Sequence, residues 1–479
     1  MVFNSVAYAI FFPVVSIIYL CLGTGAGNIW LLICSYFFYM SADIRYGAIL
    51  FGASLVTFIS TNILDRQGEN ALPRKVTCVI AVAIELSLLF FFKYFDFFNE
   101  MTGSRLNVSF LLPVGISFYV FQAVGYIVDV YRGEAAVERN FVRAMLFVSF
   151  FPGLLSGPIS RAGELIPQFK EKHVFDYARV REGLIRMGWG LFLKLVIAAR
   201  LSIVADLVYG NYRDANAFQL ILGTLAYAFQ IYCDFASYSE IAIGSAQCMG
   251  FTLRENFFQP FFGTSSADLW RRWHMSLMSW FKDYLYIPLG GSRKGKLRKY
   301  INILIVFTVS GLWHGAAWTY VLWGFFSGLF QVTGELLKGI RGRIMEASPF
   351  KGRLPHICHH AAQVLITLSI FNITLVFFRA ESISQAWEIL KTIFTTFSLG
   401  DIANTNIFKL GLGTQNLAIL LFALMILLVV DIIRERGRQP QKVLIASKAA
   451  VRWVLYYGMV VMILMSTNIG AQSFIYFQF

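Results

Sequence analysis

Long apolar runs separated by short polar loops dominate this chain. A helix needs about 20 apolar residues to cross a bilayer, and twelve segments of the 479 residues come close to that length. They lie near 6–23, 28–42, 46–61, 76–94, 110–130, 184–208, 218–235, 300–318, 319–337, 360–378, 416–433 and 453–470. The pattern predicts an all-α, polytopic membrane protein with about twelve transmembrane helices in one integral membrane domain, 1–479.

Two shorter stretches predict elements that do not cross the bilayer. The first, from about Leu146 to Pro158, is too short for a span, contains Pro152 and Gly153 and has basic clusters on both sides. We predict a re-entrant element there, buried in protein or lining a cavity. The second, 269–284, has apolar residues at helical spacing and a polar opposite face, which predicts an amphipathic helix at the cytoplasmic interface.

Composition and charge narrow the class further. With 57% hydrophobic and only 14% charged residues, the chain falls outside the range of soluble proteins, which carry roughly a quarter charged residues. The basic residues behind the formal charge of +14 lie in short loops, densest from Arg271 to Lys299, as the positive-inside rule describes for cytoplasmic loops. Twelve crossings then place both termini outside a cell membrane, and the charge requires no nucleic-acid partner.

Two motifs that suggest bound ligands are weak. Residues 290–297, GGSRKGKL, match a phosphate-binding loop except that Leu297 replaces the Ser or Thr hydroxyl and no strand is predicted before them. Three histidines and one cysteine between positions 356 and 360 crowd into barely one helical turn, so they cannot all face one ion. We predict no metal site, and no GxSxG or paired-carboxylate pattern supports a soluble-type hydrolase.

His314 is the sharpest candidate for chemistry. It follows the uncharged run INILIVFTVSGLW and precedes GAAW, which places an ionisable side chain inside a predicted span. Such residues are costly and are functional candidates by default, and an apolar site can hold an imidazole neutral so that it accepts a proton. Gly311 and Gly315 leave room for close approach of backbone or substrate. The alternative is a histidine that only bonds a neighbouring helix.

Other polar residues near apolar surroundings are secondary candidates. His274 lies beside the apolar stripe of 269–284, so its ring is expected to face the protein or membrane interior, either in catalysis or as a hydrogen-bonded interfacial histidine. Asp234, in QIYCDF at the end of an apolar span, has Glu240 six residues on. Either carboxylate could orient a histidine or pair with a loop arginine.

The tail 473–479, SFIYFQF, directly follows the last predicted span on the predicted outer side. An aromatic belt at the membrane interface explains its composition. Alternatively, Tyr476 presents its phenol as an acyl carrier, because a phenol ester stays activated relative to an alkyl ester.

Several long motifs run in order along the chain. They are the opening MVFNS, LPVGISFYVFQAVGYIVDVYRG at 112–133, FFPGLLSGPISRAGELIPQF at 150–169 and nearly all of the core motif region 230–323. With these motifs the chain resembles the membrane-bound O-acyltransferase family, specifically its alginate O-acetylase branch. The resemblance weakens after about Phe330.

The resemblance implies a multi-helix fold around a through-membrane tunnel, with an acyl donor entering from the cytoplasm and a hydroxyl acceptor served on the outer side. The family's key histidine maps onto His314 in GLWHG and its second histidine onto His274 in WRRWH; the neighbouring Trp313 and Trp273 are taken as supporting residues. An aromatic-Tyr-aromatic ending occurs in parts of this branch and in small partners of the related D-alanyl transferases, where the tyrosine is thought to relay the acyl group. It maps onto Tyr476.

The chain also departs from the branch. Where the branch commonly reads DFSGYSD, this chain reads DFASYSE. The differences at Ala236, Ser237 and Glu240 leave another donor or acceptor open. Asp234 and Tyr238 remain in place.

The combined hypothesis is an O-acetyltransferase with no permanently bound cofactor and with acetyl-CoA as the donor substrate. His314 would act as general base toward the accepting hydroxyl, with support from His274 and Asp234. Through Tyr476 the acetyl group would pass to an extracytoplasmic partner protein that modifies a cell-surface polysaccharide. The residues expected to draw the donor's phosphates are Arg271, Arg272, Arg293 and Lys294, together with Lys296, Arg298 and Lys299.

Three alternatives stay open. Within the enzyme class, the chain could be a D-alanyl transferase fed by a carrier protein. A transporter or lipid flippase would use His314 and Asp234 as proton-relay residues. A scaffold for an envelope complex would need the histidines only for structure.

Overall fold

The computed structural model describes residues 1–103, 112–340 and 353–467. The regular elements in these ranges are helices, and no strand occurs among them, which confirms the predicted all-α class. The chain divides into two compact units. Unit 1 comprises Met1–Leu191 and Ser237–Glu255, and unit 2 comprises Phe192–Ala236 and Asn256–Phe479.

The helices follow one another with short connections. The first half of the chain contains α1 (Val6–Cys21), α2 (Thr24–Met40), α3 (Ile44–Arg66), α4 (Ala71–Leu89), α5 (Phe95–Thr102), α6 (Ile116–Arg132), α7 (Phe141–Ser149), α8 (Phe151–Leu154), α9 (Ala162–Gln168), α10 (Tyr177–Phe192), α11 (Ala199–Gly210) and α12 (Ala217–Cys248). The second half contains α13 (Ser266–Arg272), α14 (Met275–Phe281), α15 (Lys296–His314), α16 (Trp318–Leu336), α17 (Arg353–Arg379), α18 (Ile383–Thr395), α19 (Leu399–Asn404), α20 (Gly413–Glu435), α21 (Pro440–Ala446) and α22 (Ala449–Ser466). π-Helical segments follow three of them, at Phe90–Tyr94, Leu193–Ala198 and Lys282–Tyr286.

Each of the twelve predicted spans overlaps a helix in the residues that the structure describes. Among those residues, six helical stretches are long and apolar enough to cross a membrane: Ile44–Arg66, Ala71–Thr102, Ala217–Cys248, Ile357–Arg379, Gly413–Glu435 and Ala449–Ser466. They support an integral membrane protein, as predicted. The number of about twelve crossings and the outside location of the termini stay predictions.

Unit 1 is held together by buried polar contacts between segments that are distant in the sequence. The Tyr8 hydroxyl of α1 bonds the Ser245 hydroxyl near the end of α12 at 2.7 Å. The Asn28 amide of α2 donates to the Phe169 carbonyl oxygen at 2.8 Å. Buried polar groups need such partners, so these bonds fix the first two helices against the parts of unit 1 that follow them in the sequence.

The segment predicted as re-entrant, Leu146 to Pro158, contains no single helix. α7 ends at Ser149, α8 begins at Phe151, and both are largely buried. The break falls at Phe150, two residues before Pro152, which takes one of the first positions of α8, where its missing N–H costs no hydrogen bond. The position of the segment in the membrane stays a prediction.

The predicted amphipathic helix over 269–284 is wrong as a continuous element. α13 ends at Arg272 and α14 begins at Met275, and His274 between them has φ 44° and ψ 52° in the left-handed region. The peptide groups at the break bond another segment: Met275 N donates to the Asn256 carbonyl at 2.9 Å, and Phe258 N donates to the Arg272 carbonyl at 2.9 Å. These bonds replace helical ones, which apolar periodicity does not reveal.

In unit 2, α15 and α16 form a tight hairpin. A Cβ atom on Gly311 would collide with the carbonyl oxygen of Tyr320, and one on Gly324 with the carbonyl oxygen of Phe307. The glycines therefore allow backbone-to-backbone contact, which small residues permit between membrane helices. The predicted room at Gly311 and Gly315 is taken up by the Tyr320 backbone and ring.

This contact yields a prediction about stability. Gly311→Ala and Gly324→Ala should each destabilise the protein by at least about 1–3 kcal/mol, the usual cost of overpacking, because the new methyl group meets backbone that cannot move aside. The matched control is Gly334→Ala in α16, where a Cβ meets nothing within 4 Å. Alanine there should raise the free energy of unfolding by up to about 1 kcal/mol, because it has a higher helix propensity than glycine. Thermal unfolding of the purified protein in detergent measures the effect. Equal melting temperatures for all three variants would contradict it.

Candidate functional site

His314 is the last residue of α15 and is only 4% exposed. Three aromatic rings surround its imidazole edge to face, with centroid distances of 4.9 Å to Trp313, 5.0 Å to Trp323 and 5.4 Å to Phe378. Trp323 comes from α16 and Phe378 from the end of α17. His314 is therefore packed against aromatic rings contributed by three helices.

His274 is also buried, at 1% exposure, which confirms that its ring faces the interior. Its Nδ1 lies 3.1 Å from Oδ1 of Asn256, and its ring packs at 4.5 Å on Phe235 of α12. Burial lowers the pKa of His274 to about 3, because removal from water disfavours the charged imidazolium. His274 is therefore neutral at physiological pH.

Trp313 brings the two histidines into one site. Its ring centroid lies 6.0 Å from that of His274 and 4.9 Å from that of His314. The set His274, His314, Trp313, Trp323, Phe378 and Phe235 is called the histidine cluster below. All of its members belong to unit 2.

Trp273, the other predicted supporting tryptophan, packs elsewhere. Its ring lies 5.3 Å from Phe257 and 5.2 Å from Phe371, in an aromatic layer that also contains Tyr232 and Phe261. Among the ring contacts that the structure describes, Trp273 touches neither histidine. It anchors the break between α13 and α14 that carries His274.

The structure gives Asp234 a lysine partner, which was not predicted from the sequence. Its Oδ1 lies 2.5 Å from Nζ of Lys194, and both side chains are almost fully buried. Lys194 lies in the π-helical segment Leu193–Ala198, a distortion that is frequent at functional sites. The sequence thus holds a charged pair inside two predicted spans.

Glu240 does pair with an arginine, within unit 1. Arg186 Nε of α10 lies 2.7 Å from Glu240 Oε2, and Nη2 of the same guanidinium lies 2.7 Å from Glu255 Oε2. One arginine therefore ties α12 to α10 and to the segment that follows α12. The ion pair gives Glu240 a structural role, and the meaning of the departure from the branch at this position for donor or acceptor stays a prediction.

Four of the seven residues predicted to bind the donor's phosphates, namely Arg271, Arg272, Arg293 and Lys294, differ in their exposure and ion pairing. Arg293 and Lys294 are exposed in the loop before α15. Arg271 is exposed too and lies 3.6 Å from Asp268. Arg272 is engaged, since its guanidinium contacts Glu435 at 2.6 Å and Asp268 at 3.2 Å. Free positive charge is therefore concentrated in the loop before α15, whereas Arg272 fastens α13 to α20.

Tyr476 lies outside the described residues, so its role stays a prediction. Among the described residues, no group of three or more His, Cys, Asp or Glu side chains could hold a metal ion.

Sequence reasoning missed four residues of this region. Lys194 carried a usable signal, because a cation near the middle of the predicted span 184–208 is costly and functional by default. Asn256 in ENFFQP carried none, because an amide 18 positions before a histidine has no characteristic spacing. Trp323 and Phe378 were apolar residues among many, and only the hairpin and α17 bring them to His314.

Comparison with known proteins agrees with this architecture. The chain belongs to the membrane-bound O-acyltransferase family, whose family model matches residues 87–376. It is therefore a membrane-bound acyltransferase.

Curated relatives span several acceptors. The chain is 33% identical to a probable alginate O-acetylase of Pseudomonas putida over the full length of both proteins. It is 32% identical to a peptidoglycan O-acetyltransferase of Helicobacter pylori, with 76% of this chain and 73% of the relative covered. It is 27% identical to a teichoic acid D-alanyltransferase of Bacillus subtilis, with 59% and 73% covered.

The buried ion pair yields a second prediction. Lys194→Met should destabilise the protein by about 3–5 kcal/mol, because it leaves the Asp234 carboxylate buried without its cation. The double variant Lys194→Met/Asp234→Leu should recover most of that loss, since it removes both charges. Thermal unfolding in detergent compares the single and double variants, and a double variant no better than the single one would show that the pair is not the source of the effect.

Proposed function

We propose that this protein takes the acetyl group of acetyl-CoA and delivers it across the membrane toward hydroxyl groups of an extracytoplasmic polysaccharide, through Tyr476 and a partner protein. The enclosure of His314 among three aromatic rings carries the proposal. The activities named for two relatives support acetyl transfer to polymers of the cell envelope. A probable alginate O-acetylase and a peptidoglycan O-acetyltransferase are similar to this chain over most of its length.

In the proposed reaction His314 is the general base. It accepts the proton of the attacking hydroxyl while that oxygen forms a bond to the thioester carbonyl carbon. The carbon–sulfur bond then breaks, and the leaving thiolate takes the proton from the imidazolium. The products are an acetyl ester and free CoA, so atoms and charge balance without another reactant.

Trp323 is suited to assist the same step. Its indole Nε1 is buried and has no hydrogen-bond partner among the described residues, and its ring packs on His314. A buried donor that is already in place can stabilise the negative charge that develops on a carbonyl oxygen. We assign this role to Trp323 Nε1–H.

The exposed basic loop before α15 supports the choice of a phosphate-bearing donor. Arg293 and Lys294 are exposed there, and arginine and lysine are the usual ligands of phosphate groups. In the proposed orientation this loop faces the cytoplasm, where acetyl-CoA is found.

The central prediction concerns His314. His314→Ala should abolish transfer from acetyl-labelled CoA in the purified protein, because the hydroxyl loses its base; general-base removal typically costs about 10²–10⁴-fold. His360→Ala, at an exposed position of α17, is the matched control and should keep full activity. Label transfer at the wild-type rate by His314→Ala would overturn the assignment.

A separate prediction concerns the relay. Tyr476→Phe should leave no acetyl ester on the protein and no acetylated polysaccharide in cells, because it lacks the accepting phenol. Tyr457→Phe, at an exposed position of α22, should behave as wild type. Mass spectrometry of the C-terminal peptide reads the result. An alanyl group in place of acetyl would favour the D-alanyl transferase, and unchanged polysaccharide acetylation in Tyr476→Phe would dismiss the relay.

A further inference from the structure

We infer that Asn256 is a positioning residue that fixes the tautomer of His274, so that Nδ1 carries the proton and Nε2 is presented as a hydrogen-bond acceptor to a reactant. The inference rests on the proposed function in placing His274 in the reaction. The tautomer itself follows from contacts within unit 2.

The first step identifies the Asn256 atom that faces His274. The backbone N–H of Ser276 lies 3.3 Å from this atom, and the Ser276 hydroxyl lies 2.9 Å from it. A backbone N–H can only donate, so the atom that it meets is the amide oxygen, Oδ1. The orientation of the Asn256 amide is thus set by the main chain of α14.

The second step identifies the proton on His274. Its Nδ1 lies 3.1 Å from the same Oδ1, and an amide oxygen has no proton to give, so Nδ1–H must be the donor. A neutral imidazole carries one N–H, and burial keeps His274 neutral by lowering its pKa to about 3. Nε2 therefore bears the lone pair.

The backbone holds this arrangement at a cost. Among the described residues, His274 and Gln259 are the two non-glycine positions with positive φ, at 44° and 37°. Both lie where the segment that starts at Asn256 pairs with the break between α13 and α14. Residues in this region of backbone space cost about 1–3 kcal/mol each and persist only where surrounding contacts determine them. The left-handed conformation of His274 ends the helical path of α13 and directs its side chain toward Asn256.

Aromatic rings from two helices contact the His274 imidazole. α12 presents Phe235 to the ring and α15 presents Trp313. Charged or titratable groups on the adjoining elements include Asp234, which pairs with Lys194; Arg272, which pairs with Asp268 and Glu435; and His314, beyond Trp313. A charge introduced at position 256 would lie directly beside Nδ1 of His274 and would therefore act on this imidazole.

In this arrangement the two histidines have different roles in the proposed reaction. His274 accepts a hydrogen bond at Nε2 and thereby orients an O–H or N–H group of a reactant, without taking its proton. His314 takes the proton. Asn256 acts only through His274 and touches no reactant.

The tautomer can be read without any activity. In full-length protein labelled with ¹⁵N-histidine and reconstituted in lipid, the His274 resonances are assigned by their loss in His274→Gln. We expect a protonated Nδ1 and an unprotonated Nε2 in wild type, and a mixture of tautomers in Asn256→Leu. A protonated Nε2 in wild type, or an unchanged spectrum in Asn256→Leu, overturns the inference.

The role in transfer is tested by two substitutions. Asn256→Leu should lower kcat about 10- to 100-fold, as loss of an orienting partner usually does, with little change in KM for acetyl-CoA. Asn256→Asp keeps the accepting oxygen but adds a negative charge, which raises the pKa of His274. The acid limb of its pH–rate profile should therefore move to higher pH, with activity recovered on the alkaline side.

The outcomes separate the two proposals. Asn404→Leu, at an exposed asparagine of unit 2, is the matched control and should match wild type in rate and pH profile. A wild-type pH profile in Asn256→Asp would mean that Asn256 only supports the loop, and overturns the positioning role. Absence of acetyl transfer in wild type itself would count against the proposed function, while the tautomer measurement still stands.

Discussion

The contact between α15 and α16 is the constraint on which the site depends. At Gly311 and Gly324 the two helices touch through backbone atoms, and this closeness brings Trp323 to within 5.0 Å of the His314 ring. The ion pair between Lys299 and Glu335, at 2.7 Å, fastens the other end of the hairpin. Because apolar surface alone does not drive helices together within lipid, packing of this kind must supply the association.

Within unit 2, three buried polar arrangements at the site differ from one another. Lys194 and Asp234 neutralise each other, Asn256 bonds His274, and aromatic rings pack on His314. The first two arrangements satisfy hydrogen-bonding groups within the protein, as burial requires. The third places the imidazole edge to face against aromatic rings, a geometry that aromatic pairs prefer.

The apolar pattern predicted where helices occur, because burial in lipid or protein demands runs of apolar residues whatever their partners. It also marked His314 and His274, since an ionisable residue among apolar ones is conspicuous. The same pattern wrongly predicted a continuous helix through Trp273 and His274. There, hydrogen bonds to Asn256 and from Phe258 break the helix. Those bonds join residues 14 or more positions apart, and no helical period contains that information. The same reason hid Asn256, whose role exists only through the fold.

The length of α15 constrains the donor in the proposed reaction. At 1.5 Å of rise per residue, the 19 residues of this helix span about 28 Å between the exposed basic loop at its start and His314 at its end. If the phosphates bind at that loop, the thioester must be carried on a long, narrow arm, as in CoA or a carrier protein, whereas a short acyl phosphate would not reach. Since the arm is common to both donors, the choice between them is made at the loop. There Arg293 presents a planar guanidinium and Lys294 a point charge, both of which bind phosphate groups.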